Sequence, residues 1–385
     1  MEKKLRFGMV GGGNGGNIGN SHRRGAGIDG LAVLSAGCFT RDPERNRADG
    51  EFWGVPPDRI YGSYEEMAEA EAKRPDGIDF VSIVTPNKTH YGVTKCFLEH
   101  GISVVCEKPF TLCVREAEEL RDLAEKNGLA VCVPYTYAHY PIMRECKRLI
   151  EAGEIGRIID IVAEYPQDWM ILGLNSGEKN FTSWIGDPAV SGNSNVTAGM
   201  GVHLYYLIRS MTGLRLDRVL ADFSYYPEGA PLETTARVLL RCADGTGGLL
   251  WTSNTAIGHD CTIELKIMGD KGTVEWSHDD PTHLRLSKLG GTVQILAAGR
   301  DYLGADSRAA SRLPAGHPEG FYEAFANLYR AFCQHLLDRK NGVCESDDRY
   351  FYPRAQDGVD GVRFVQACVE SCRGGNVWVR LDEVQ

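Results

Sequence analysis

The chain has 385 residues, 43% hydrophobic and 24% charged, with a net charge of −10. That length suits two domains at roughly 100–200 residues each. The acidic balance excludes the basic surface that nucleic acid or an anionic membrane requires, and no apolar run nears the roughly 18 residues needed to cross a bilayer.

The opening segment holds two lysines but no signal-like apolar core, and passes at once into a strand, Leu5–Val10. Asn14–Gly27 reads as a loop entering a helix, and Leu31–Phe39 as a second strand. A helix is predicted over Ser63–Lys73, with Ser63 as N-cap and Glu66 at capping-box spacing. Phe80–Thr85, Ile102–Glu107 and Ala130–Val133 are short apolar strands. They alternate with helices His90–His100 and Val114–Asn127, which Gly101 and Gly128 close. Uninterrupted apolar strands alternating with helices predict a doubly wound parallel α/β sheet of the Rossmann type, covered on both faces, over residues 1–134.

The pattern then changes. Ile142–Ala152 is a helix. Strands are expected at Ile158–Tyr165, Leu216–Tyr225, Ala236–Cys242, Thr246–Asn254, Thr262–Met268 and Gly272–Ser277, several joined by turns such as Asp244-Gly245. Residues 290–316, rich in Gly, Ala and Ser, read as a long loop. Helices Phe321–Leu337 and Val359–Cys372 and a strand Val377–Leu381 complete a second, α+β domain over 135–385 with a mostly antiparallel sheet. Twelve cysteines contain no Cys-x-x-Cys pair, and Cys368 and Cys372 read as packed thiols. A reducing cytoplasm and no structural metal are expected.

Gly11, Gly13 and Gly16 satisfy Gly-x-Gly-x-x-Gly between a strand and a helix, with Asn14 at the tip. There a side chain at Gly11 would block the turn, and one at Gly13 would hold the backbone off a pyrophosphate. The phosphates themselves would rest on the helix N-terminus. The cofactor expected is therefore NAD(H) or NADP(H). The second strand ends without a decisive carboxylate. Thr40 and Arg41 suit a 2′-phosphate, whereas Asp42 could reach a ribose or cap the next helix. NAD is only slightly favoured.

Val81-Ser-Ile-Val-Thr85-Pro86-Asn87-Lys-Thr-His90, followed by Val104-Val-Cys-Glu107-Lys108-Pro109, resembles the glucose–fructose oxidoreductase/inositol dehydrogenase/MocA family. Glu164–Trp169, Gly201-Val-His203 and Gly316–Phe325 extend the resemblance to its sugar- or glycoside-oxidising branch, over nearly the whole chain. The resemblance implies that Thr85, Asn87 and His90 border the cofactor, with Glu107 and Lys108 near the nicotinamide ribose and the reacting carbon. It also implies a homodimer or homotetramer through the second domain's sheet. Lys108, at the end of a parallel strand, can hold a substrate hydroxyl or stabilise an alkoxide. His203 suits removal of the hydroxyl proton.

Two positions depart from the family pattern. Gly199 stands where an aspartate usually precedes the histidine by four residues, and Ile185 stands in place of an arginine. Asp187, Asp168 and Tyr137 are candidates to replace the lost carboxylate. Tyr135, Tyr137, Tyr140 and Trp169 offer aromatic faces to a sugar or to a core. His22 and His317 read as structural. The expected activity is oxidation of a ring hydroxyl of a sugar or glycoside, at C3 for example, by hydride transfer. A redox-neutral glycosidase or epimerase and a non-catalytic dinucleotide sensor are the alternatives.

Overall fold

Helices and strands form where the sequence marks their ends. Ser63 accepts from the Glu66 N–H, and Gly101 and Gly128 close their helices at φ +76° and +62°, a conformation other residues adopt at a cost. The computed structural model describes residues 4–176, 184–343 and 349–384. The chain divides into two units, Met1–Thr136 with Phe321–Asp360, and Tyr137–Gly320 with Gly361–Gln385. A linear division at 134/135 therefore misses the return of residues 321–360 to the first unit.

The first unit runs β1 (Leu5–Gly11), α1 (Asn17–Ile28), β2 (Ala32–Cys38), α2 (Pro43–Phe52), α3 (Tyr64–Lys73), β3 (Phe80–Val84), α4 (His90–Glu99), β4 (Ser103–Cys106), α5 (Val114–Lys126) and β5 (Val131–Cys132). The five strands are all parallel, in the order β2-β1-β3-β4-β5. The order reverses between β1 and β3, the crevice where open α/β sheets bind ligands.

The second unit contains α6 (Pro141–Glu151), β6 (Ile158–Pro166), α7 (Trp169–Ser176), α8 (Pro188–Ser191), α9 (Val202–Thr212), β7 (Leu216–Ser224), β8 (Thr235–Cys242), β9 (Gly247–Ser253), β10 (Glu264–Gly269), β11 (Gly272–Ser277), β12 (His283–Lys288), β13 (Val293–Ala297) and α10 (Ala305–Ala310). After these come α11 (Phe321–Lys340) of the first unit, α12 (Ala355–Arg373), which passes from one unit's residues to the other's, and β14 (Val379–Arg380). The nine-stranded sheet has the order β13-β12-β11-β10-β6-β9-β8-β7-β14, antiparallel except for β6 beside β9.

The loop expected over 290–316 is corrected. β13 pairs with β12 across Leu289-Gly290-Gly291, and α10 follows. The small residues of that stretch mask a Val-x-Ile alternation that is only five residues long. α2 was foreseen only as something Asp42 might cap.

Phe325, Leu328, Tyr329, Phe332, Cys333 and Leu336 recur at helical spacing on α11 and pack with Phe7 and Phe80 of the parallel sheet. Gly25 of α1 lets that helix approach α11, because a Cβ there would lie 2.6 Å from Phe325 Cβ. This cover explains the strands' unbroken apolarity. Among the described residues no helix is long and apolar enough to cross a membrane.

Candidate active site

In the first unit the glycine loop leaves the end of β1 at the reversal of strand order. Gly11 has φ +78°, and a Cβ on it would meet the Val84 carbonyl oxygen at 2.3 Å, so both conformation and space require glycine. Gly13 is needed for a reason the sequence did not suggest: a Cβ there would lie 2.1 Å from Asp49 Oδ2 of α2. The tight helix–strand approach falls at Gly19, whose Cβ would meet the Gly12 oxygen at 2.2 Å, whereas one on Gly16 would meet only the Gly13 oxygen at 3.4 Å. Gly16 is the N-cap of α1, brings no capping side chain, and is followed by no acid in the first turn. The helix N-terminus is thus left for an anion, with Asn14 exposed beside it. A loop in which Asn14 alone carries a Cβ, before an uncapped helix, fits a dinucleotide's pyrophosphate.

At the end of β2 the Phe39 N–H, at 2.7 Å, and the Thr40 N–H, at 3.5 Å, donate to the Asn46 side-chain oxygen. Arg41 is exposed. Asp42 accepts from Arg45 N–H at 2.9 Å and so caps α2. Its carboxylate is spent locally, and Thr40 and Arg41 are left at the tip.

Thr85 follows β3 and accepts from the Thr89 hydroxyl at 2.7 Å, with half-buried Asn87 between them. His90 is fully buried and bridges the Thr85 and Pro109 carbonyl oxygens, each at 2.8 Å. Burial lowers its pKa, against the two carbonyl contacts that would raise it. It ties the end of β3 to the turn after β4. That turn holds Glu107 and Lys108, with a cis peptide before Pro109. The buried Glu107 accepts from His22 Nε2 at 2.9 Å and from the Lys108 backbone N–H at 3.1 Å. Burial opposes its ionisation, but His22 and the Lys108 charge outweigh burial, and its pKa is lowered.

In the second unit, His203 is the second residue of α9, directly after a π-helical turn over Thr197–Gly201. Its buried ring meets Tyr137 edge to face, centroids 4.9 Å apart, and Tyr165 of β6 at 6.5 Å. The two phenol oxygens are 2.6 Å apart, and Cys261 Sγ lies 3.2 Å from that of Tyr165. Burial pushes both phenols well above their ordinary range, so they stay protonated and can donate. Tyr140 instead engages His278 Nε2 at 2.9 Å, and Tyr135 is buried, so these two pack. Trp169 is half-buried at the start of α7.

Of the three candidates for the missing aspartate, only Tyr137 is placed against His203. Asp187 is exposed and caps α8 through the Ala189 N–H at 2.9 Å, and Asp168 accepts from the Gly258 N–H at 3.1 Å. His317 is exposed.

Sequence reasoning missed Gly19, Asp49, Tyr165, Cys261 and Glu233. Glu233, fully buried, accepts from the Ser194 hydroxyl at 2.5 Å and from the Asn195 and Thr197 N–H groups at 3.0 Å each, and so anchors the turn that leads to His203. Its only sequence signal is an acid standing between Leu232 and Thr234.

Residues 5–135 match the model of an oxidoreductase family with an NAD-binding Rossmann fold, and residues 143–275 match the GFO/IDH/MocA C-terminal domain. The oxidoreductase YfiI of Bacillus subtilis (strain 168) is 37% identical, over 99% of this chain and 98% of its own. An inositol dehydrogenase homolog from Azotobacter vinelandii, solved with NAD+, is 36% identical with a TM-score of 0.93 over 99% of this chain and 98% of its own. Its complex with NADH and myo-inositol gives 35% identity and a TM-score of 0.91, with the same coverage.

Proposed function

Because the chain belongs to the GFO/IDH/MocA family of oxidoreductases, we propose that it oxidises a secondary ring hydroxyl of a cyclic polyol or sugar to a ketone, with NAD+ as hydride acceptor. The observation that carries this is the glycine-rich loop before the uncapped helix at the strand-order reversal, in one unit with Glu107-Lys108-Pro109. A dinucleotide held on the glycine loop would supply the hydride acceptor. The Lys108 ammonium holds the reacting oxygen and stabilises charge developing there. His203 takes the hydroxyl proton, and Tyr137, kept protonated by burial, donates to a substrate oxygen. The myo-inositol complex of the Azotobacter vinelandii relative supports a cyclic polyol as substrate. NADP is the second reading of the cofactor, favoured by Thr40 and Arg41 at the β2 tip with Asp42 spent as a cap. A homo-oligomer is supported by Val162, Leu249 and Leu239, neighbours in register on the sheet face opposite Leu250, which packs toward the turn before α9.

A panel of inositols, monosaccharides and glycosides with NAD+ or NADP+, followed at the reduced-nicotinamide absorbance, tests the activity. Lys108→Met is expected to lose about 10²- to 10³-fold in kcat, the scale of a lost charge-stabilising donor, while still binding NAD+. Undiminished turnover in that variant overturns the assignment. Substrate conversion without net NADH would move the protein to the redox-neutral alternative.

A further inference from the structure

A chain of buried polar groups runs through the first unit behind Glu107. Ser82 Oγ of β3 lies 2.8 Å from the Tyr329 hydroxyl of α11, that hydroxyl lies 2.6 Å from His22 Nδ1 of α1, and His22 Nε2 lies 2.9 Å from Glu107 Oε1. His22 and Ser82 are fully buried, and Tyr329 is 1% exposed. The second Glu107 oxygen takes the Lys108 backbone N–H.

A carboxylate only accepts, so His22 Nε2 carries a proton. In the tautomer with a single ring proton, Tyr329 then donates to Nδ1 and Ser82 donates to Tyr329. Every donor in the chain points toward Glu107. An edge-to-face contact with Phe325, centroids 5.0 Å apart, further fixes the imidazole plane. An apolar core of this density has no need of four linked polar groups, and a partly satisfied network would cost stability.

We propose that His22 and Tyr329 are positioning residues for Lys108: they hold the Glu107 carboxylate in the one orientation that fixes the Lys108 backbone and keeps a negative charge beside its ammonium. This rests on the reading of Lys108 as the residue that holds the reacting oxygen. Glu107 faces His22 from α1, His90 from α4, Tyr329 from α11, Cys106 and Cys132 from β4 and β5, and Lys108 beside it. Of these, His22 is the one that donates a side-chain hydrogen bond to it. Without that donor the carboxylate is free to turn from the orientation His22 imposes, the lysine's negative neighbour recedes, and its ammonium gives up its proton at lower pH.

The test is an NMR titration of 13Cε-labelled lysine in the full chain, with the Lys108 signal assigned by its loss in Lys108→Met. His22→Leu is expected to lower the Lys108 midpoint by about one unit, a tenfold change in the ammonium equilibrium. His22→Gln, which restores an N–H donor, should return it to within a few tenths. Tyr329→Phe, which keeps the ring and its packing, should move it in the same direction by less, and carries the test if His22→Leu does not fold. With myo-inositol and NAD+, kcat/KM of His22→Leu should fall 10- to 100-fold, the scale of a misplaced reacting group, and its alkaline limb should move down, with NAD+ affinity kept within about threefold. A Lys108 midpoint unmoved in the folded variants, or a Gln variant displaced as far as Leu, overturns the proposal. Turnover surviving in Lys108→Met would instead overturn the reading of Lys108 and leave the titration result standing.

Discussion

Glu233 offers a quantitative check on how the second unit holds His203. Its carboxylate is 1% exposed, and its donors are neutral: one hydroxyl and the backbone N–H groups at the head of the turn before α9. Burial raises its pKa despite those bonds. Glu233→Leu removes the acceptor and orphans three buried donors at about 1–3 kcal/mol each, offset in part because the carboxylate no longer has to be desolvated. A net loss of roughly 3–5 kcal/mol follows. At about 2–4 °C per kcal/mol for a unit of this size, the melting temperature should fall by roughly 6–20 °C. Glu233→Gln keeps one acceptor oxygen but turns an NH2 toward the Asn195 N–H, so about 1–2 kcal/mol is expected. Because the buried carboxyl has its pKa raised, the folded state takes up a proton that the unfolded chain does not, so wild type gains stability on acidification where the amide cannot, and the Gln deficit should widen from pH 7 to pH 5. Thermal denaturation followed by circular dichroism at both pH values measures all of this. A Leu variant melting within 1 °C of wild type, or a Gln deficit that narrows on acidification, would refute the reasoning.

Two further outcomes follow. Burial lowers the pKa values of His90, His139 and His278. Their folded forms bind fewer protons than the unfolded chain, so the stability they contribute is whole above the unfolded histidine pKa of about 6.5 and is lost as pH falls below it, at about 1.4 kcal/mol per unit of depression; a melting temperature that holds or rises from pH 7 to pH 5 would contradict this. A Cβ on Gly199 would meet nothing within 4 Å, so Gly199→Asp should fold with a melting temperature within about 2 °C of wild type, the range of a substitution that touches no packed neighbour; a larger loss would show that the space is not there.

The sequence carried the parallel sheet because its cues are local: apolar runs, glycine stops and a Ser63 cap, each complete within a dozen residues. It carried the glycine loop for the same reason, yet gave no sign of a second reason for glycine at position 13, since Asp49 reaches it only after α2 folds back. The pairs that hold the reacting residues lie far apart in sequence. Ser82 and Tyr329 are separated by 247 residues, His22 and Glu107 by 85, and Glu233 and Asn195 by 38. No periodicity records such pairs, and a lone histidine on a helix reads as packing. Asp187 and Asp42 were ambiguous for the opposite reason. Each precedes a proline at the first turn of a helix, so a cap and a role in the chemistry were both open, and in the structure each carboxylate caps its helix.

Each unit thus places a buried glutamate against the backbone leading to its proposed reaction residue, Lys108 or His203, and the two differ in what opposes burial. Glu107 has a histidine donor and a lysine charge, and these hold its pKa down. Glu233 has only neutral donors, and its pKa is raised. Sign by sign, the grip of Glu107 is complete above the unfolded carboxylate range and fails only as pH falls below it. Glu233 takes up its proton above that range, and then no longer presents two acceptor oxygens to the turn. Because folding then binds that proton, acidification first relieves the cost of burying the Glu233 charge, and of the two glutamates only Glu107 loses stability, as pH falls through the range that protonates it.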